Sequence, residues 1–143
     1  MSHLIKRQQA TQATLDAYVG KALRFGVADC ARVARFHLHK LGVPLPFLKG
    51  VRYRSAAGAE AALEALGFET LTQAVDATGF ARIPPASAWA GDLVALPAPP
   101  DGPFDIAIMI AIGNGRLFGL HGGRFVVLQP AAYAAAWRVP VNG

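Results

Sequence analysis

The stretch FGVADCARVARFHLHKLG, residues 25–42, carries the only cysteine of the 143-residue chain, and two histidines follow it. Thiol and imidazole together can perform nucleophilic acyl transfer: the sulfur attacks a carbonyl while the imidazole takes up a proton and later returns it. Asp29 is a good N-cap. It predicts a helix opening at Cys30, running to Leu41 and ending at Gly42, with Pro44 and Pro46 just beyond. In that first turn a thiol meets the positive end of the helix dipole and free N–H groups, which lower its pKa and can hold an oxyanion; the Asp29 charge opposes part of the shift. The plainer alternative is that Cys30, Val33, Ala34 and Leu41 simply face the core. Neither nearby histidine can be the base. His37 shares the face of Cys30 but sits ~10 Å along the axis, and His39 is about half a turn out of phase, on the surface. A partner for Cys30 has to come from elsewhere in the fold.

The elements that would position such a partner read in two blocks. Residues 8–24 predict an amphipathic helix with Leu15, Val19, Ala22 and Leu23 on one side, broken at Phe25-Gly26-Val27 before the Cys30 helix. After a basic turn, KGVRYRSAAG, the segment AAGAEAALEALGF predicts a helix stopped by Gly67, TLTQAVDATG a further short helix, and IPPASAWAGD a Pro-rich linker. From Asp92 onward the segments DLVALP, DIAIMIAI, GRLFGLH and RFVVLQP read as strands. Asn114-Gly115 is a strong hairpin signal, making the second and third of these antiparallel neighbours. PAAYAAAW predicts a closing helical turn. Helices first and hairpin-linked strands second mean α+β rather than a βαβ sheet.

At this length the chain reads as one domain, residues 1–143, with no internal repeat. A composition 53% hydrophobic and 16% charged excludes a disordered chain. The longest apolar run, Ile106 to Ile112, is too short to span a membrane, and the start lacks the features of a signal peptide, so a cytoplasmic site of synthesis is expected. A lone cysteine forms no internal disulfide. The histidines His3, His37, His39 and His121 show no zinc-ligand spacing, so neither a metal nor another cofactor is expected. The formal net charge of +5 is scattered in ones and twos without a basic, aromatic-interleaved stripe, which argues against nucleic acid and for a solvated surface with some bias toward acidic partners.

RFGVADCARVA, then GDLVAL some sixty residues on, then an apolar strand ending IGNGRLF, resembles the NlpC-type cysteine peptidases, papain-like enzymes that cut peptidoglycan stem peptides. Phe25, Gly26, Asp29, Cys30, Gly91, Asp92 and Gly113 to Gly115 carry that order. A likeness over nearly the whole chain is to an uncharacterised set of phage and prophage proteins related to the NlpC type, through Phe25 to Cys30, Arg52 to Ser55, Gly91-Asp92 and Ala136 to Val139. The resemblance implies a papain-like core, a helical half carrying Cys30 packed on an antiparallel sheet. It also implies a place in the virion tail tip, with other tail-tip proteins as partners.

One departure counts against catalysis. The NlpC-type histidine would stand at Ala107 and its orienting residue at Gly119, and neither can transfer a proton. Two replacements are within reach on strand alternation: Asp105, two residues before Ala107, and His121, two after Gly119. The candidate site is therefore Cys30 with His121 or Asp105. The alternatives are a tail-tip protein with a vestigial cleft, a peptidase cleaving peptidoglycan during genome entry, and a host amidase or acyl-transfer enzyme. Asp92 reads as a strand-start residue satisfying backbone N–H groups. Arg52, Tyr53 and Arg54 read as a solvated basic turn, with an anion or subunit contact as the alternative, and Trp89 and Trp137 as packing residues flanking the sheet.

Overall fold

The computed structural model describes residues 3–43 and 51–141. Pro44, Pro46 and the first residues of the KGVRYRSAAG turn lie outside the described residues. Four helices precede the main run of strands: α1 His3–Tyr18, α2 Cys30–Lys40, α3 Ala56–Ala65 and α4 Leu71–Asp76. Strand β1 is Ala81–Arg82. Beyond the 3-10 turn Pro85–Ser87 come β2 Leu93–Pro97, β3 Ile106–Gly113, β4 Arg116–His121, β5 Arg124–Leu128 and β6 Ala135–Arg138. They form one antiparallel sheet in the order β1-β6-β2-β3-β4-β5.

Local chemistry sets most of these boundaries. Asp29, Ser55 and Thr70 cap α2, α3 and α4, each accepting a backbone N–H from the third residue on. Gly42 and Gly67 follow the C-caps with positive φ. At the β3–β4 turn Asn114 and Gly115 both have positive φ, as a two-residue hairpin of this twist requires. Strand β3 has apolar side chains on both faces because both are covered. Ile106, Ile108 and Ile110 pack with Cys30, Ala34 and Leu38 of α2, while Met109 and Ala111 join Val94, Leu117 and Ala136 on the other side.

Two expected helices differ from the structure. The predicted helix over 8–24 instead begins at His3 and ends at Tyr18, and Val19 is exposed. Its inward face is Arg7, Ala10, Thr11 and Thr14. The sheet captures residues 20–23: Gly20 N–H donates to Phe125 O, Phe125 N–H to Lys21 O and Leu23 N–H to Gly123 O. The closing PAAYAAAW turn is not helical either. Ala135, Ala136 and Trp137 pair with Ala95, Val94 and Leu93 as strand β6, and Trp137 is fully buried. Alanine's helix preference is worth only tenths of a kcal/mol per residue, less than completing a sheet edge.

Two buried polar centres tie helices to sheet. Asp92 Oδ1 pairs with Arg7 Nη1 at 2.9 Å and accepts Val139 N–H at 3.0 Å; Oδ2 accepts Trp89 N–H at 2.8 Å and lies 2.9 Å from Arg138 Nε. Arg7 also donates to Ala90 O and Val139 O. The expected backbone role of Asp92 is present, with two cations added. The His37 ring bridges α1 and the turn before β2, with Nδ1 3.0 Å from Thr14 Oγ1 and Nε2 2.9 Å from Gly91 O. Trp89 is 58% exposed, stacked under the Arg138 guanidinium at 3.3 Å rather than packed in the core.

Candidate active site

Cys30 is the first residue of α2, and the turn before it is built around Asp29. Asp29 Oδ1 accepts Arg32 N–H at 2.8 Å; Oδ2 accepts Gly26 N–H and the Tyr53 hydroxyl, each at 2.8 Å. Gly26 has φ +81, and a Cβ there would lie 1.9 Å from Tyr53 O, so only glycine lets the two segments touch. The aspartate before the cysteine is thus wholly engaged in holding the turn.

The thiol is 7% exposed. It sits at the edge of an open groove of about 310 Å³ whose walls include Phe25, Phe104, Ile106, Ala107 and Leu120, with Asp101 among the few polar groups. Burial pushes the Cys30 pKa up to about 12, and the Asp29 charge adds to the rise. Contacts with the backbone of Ile108, Ala31 and Cys30 itself act the other way without overcoming burial. The helix dipole expected to acidify this thiol is outweighed by loss of water, which disfavours the thiolate.

Ala107, the position of the NlpC-type histidine, borders the groove, but its side chain packs with Met109 on the face of β3 opposite Ile106, Ile108 and Cys30. The other candidates are placed elsewhere. Asp105 caps α4, where its Oδ1 accepts Leu71 N–H at 2.9 Å and Thr72 N–H at 3.3 Å, and its Oδ2 accepts the Thr72 hydroxyl. His121 ends β4 as an exposed residue opposite Arg124. Leu120 lines the groove and packs with Phe118, whereas His121 shares the face of β4 that carries Leu117, which packs with Met109. That side is also where Gly119 lies: a Cβ at Gly119 would meet Met109 Sδ at 2.0 Å. His37 is buried in its own hydrogen bonds and His39 is exposed. Among the described residues no group of three or more His, Cys, Asp or Glu side chains could hold a metal ion.

Sequence reasoning passed over one feature of this region. Tyr53, read with its neighbours as a solvated turn, is buried against Asp29 and under Arg32, whose guanidinium carbon lies 5.1 Å from the ring centre. Its alternation with exposed Arg52 and Arg54 was the available signal.

The model of a family described as "Domain of unknown function (DUF6950)" matches residues 3–139. No curated protein matches the chain. Among solved structures, NlpC1 from Trichomonas vaginalis is similar over 92% of this chain, at 13% identity and a TM-score of 0.56. The chain covers 43% of that protein, less than half its length. The likeness is one of fold: a helical half carrying Cys30, packed on an antiparallel sheet, is the papain-like, NlpC-type α+β arrangement.

Proposed function

The chain belongs to the family described as a domain of unknown function (DUF6950), a description that assigns no activity, and from its site we propose a phage or prophage tail-tip or tail-assembly protein that keeps an NlpC-type fold without its catalysis. The observation that carries this reading is the state of Cys30: a buried thiol, pKa pushed up to about 12, with neither His121 nor Asp105 turned to it. Papain-like cleavage needs a group to take the thiol proton and then protonate the leaving amine. Asp29 is occupied by three donors, and a carboxylate lies several pKa units below a thiol.

The residues behind the phage likeness hold the scaffold and bring no proton-transfer group to Cys30. Tyr53 anchors Asp29, Ser55 caps α3, Asp92 gathers Arg7 and Arg138, and Trp137 is core. In this proposal the protein works in the virion tail tip, made in the host cytoplasm, and its partners are other tail-tip proteins. The rival is an active peptidase cutting peptidoglycan stem peptides, which draws on Cys30 opening a helix beside a groove.

Purified protein incubated with peptidoglycan, beside Cys30→Ala and His121→Ala variants, separates the two. No stem-peptide release above the Cys30→Ala background is expected. Robust release abolished by both substitutions would establish a relocated dyad and sink the proposal. Release lost only with Cys30→Ala would point to Asp105 or Asp101 as the partner. Mass spectrometry of tails purified from induced prophage particles tests the location, with the protein expected among the tail-tip components.

A further inference from the structure

Beside the Cys30 groove, and sharing Phe25 with it, lies a second open groove of about 820 Å³. Five arginines line it: Arg24, Arg32, Arg35, Arg52 and Arg54. They come from the turn before α2, from α2 itself and from the segment before α3, so no linear stripe announces them. Arg52 and Arg54 flank buried Tyr53, and both are exposed along the groove.

Guanidiniums gathered around one concavity repel one another unless anions neutralise them. Among the described residues no ion pair engages these five: the pairs present join Arg7 and Arg138 to Asp92, and Arg82 to Asp76. Asp29, beneath the groove, already accepts from Gly26, Arg32 N–H and Tyr53. Arg32 is held in place by stacking on Tyr53 and by donation from Nη2 to Val51 O, and its buried Nε has no hydrogen-bond partner among the described residues. A guanidinium held in place among four further arginines is suited to oxyanions, which the planar fork of an arginine binds through two parallel hydrogen bonds.

We propose that this groove binds a polyvalent oxyanion, a ligand presenting two or more phosphoryl or carboxyl groups at once. The proposal does not depend on whether Cys30 is active.

Isothermal titration of the full chain with tripolyphosphate, inorganic phosphate and citrate, at low and at physiological salt, tests it. Tripolyphosphate or citrate should bind one to one, more tightly than phosphate, with affinity falling as salt screens the charges. Binding by tripolyphosphate alone identifies phosphoryl groups, and binding by both identifies oxyanions in general. The variant R52Q/R54Q should weaken binding about tenfold, as expected for losing charge-assisted hydrogen bonds. R52K/R54K should recover part of the loss, since lysine keeps charge but not the fork. Arg116→Gln, on the β3–β4 hairpin, should change nothing. Because Arg52 and Arg54 are exposed, their variants are expected to melt like the wild type; R24Q/R35Q carries the same test should they not. Absence of binding by every probe at low salt, or binding that both arginine pairs leave unchanged, overturns the proposal.

Discussion

A thiol with a pKa near 12 is almost wholly protonated at neutral pH, so Cys30 should behave as a small apolar side chain and not as a nucleophile. Its reaction with a disulfide reagent at pH 8 should be far slower in the folded protein than after unfolding in urea. Labelling of the native protein at the rate of a free thiol would show an accessible thiolate instead. The raised pKa fixes the sign of its stability term: present below the ordinary thiol value, it is lost as pH climbs toward 12. Asp92 has the opposite temperament, a charge that must stay. Asp92→Asn removes the anion between Arg7 and Arg138 and leaves two cations facing each other, a change worth about 3–5 kcal/mol for a buried pair. A fall in the urea midpoint should report it, and an unchanged midpoint would mean that solvent already screens the pair.

Among elements, α2 packs on α1, β3 and β4, and His37 is its fastening to α1 and to the turn before β2. Gly91 O can only accept, so Nε2 carries the proton, and Nδ1 takes the Thr14 hydroxyl proton, which otherwise goes to Ala10 O. Burial lowers the His37 pKa to about 4; the Gly91 and Ala10 carbonyls and Asp92 act to raise it, and Arg7 assists the fall. A depressed folded-state pKa means that stability is complete above about 6.5 and declines as pH drops toward 4, by on the order of 3 kcal/mol. His37→Gln should flatten the fall between pH 6.5 and 4, as read by urea titrations at each pH. The α2 boundaries were legible because Asp29 and Gly42 are local signals, as was the Asn114-Gly115 hairpin. The end of α1 and the existence of β6 were not: residues 20–23 and 135–138 take their structure from strands far along the chain. The site was legible in part. The position of Cys30 followed from its cap, but the placement of Asp105 at the start of α4 and of His121 at an exposed strand end depends on the tertiary fold.

Across the whole molecule the sheet order places β6, the last strand among the described residues, between β1 and β2, so an inner position of the sheet is filled by a segment far along the chain from β2. Arg7 in α1 donates to the carbonyl of Val139, 132 residues away. A chain cut after Pro130 loses both the inner strand and that tie, and should show no cooperative unfolding transition by circular dichroism. A sharp melt from such a fragment would mean that β1 can pair with β2 directly. The same topology imposes an order on synthesis. Until residues 135–139 leave the ribosome, β2 presents one unpaired edge and Asp92 lacks Arg138 and the Val139 amide. The nascent chain therefore keeps that strand edge uncovered until residues 135–139 have emerged, and a product terminated before them leaves it exposed.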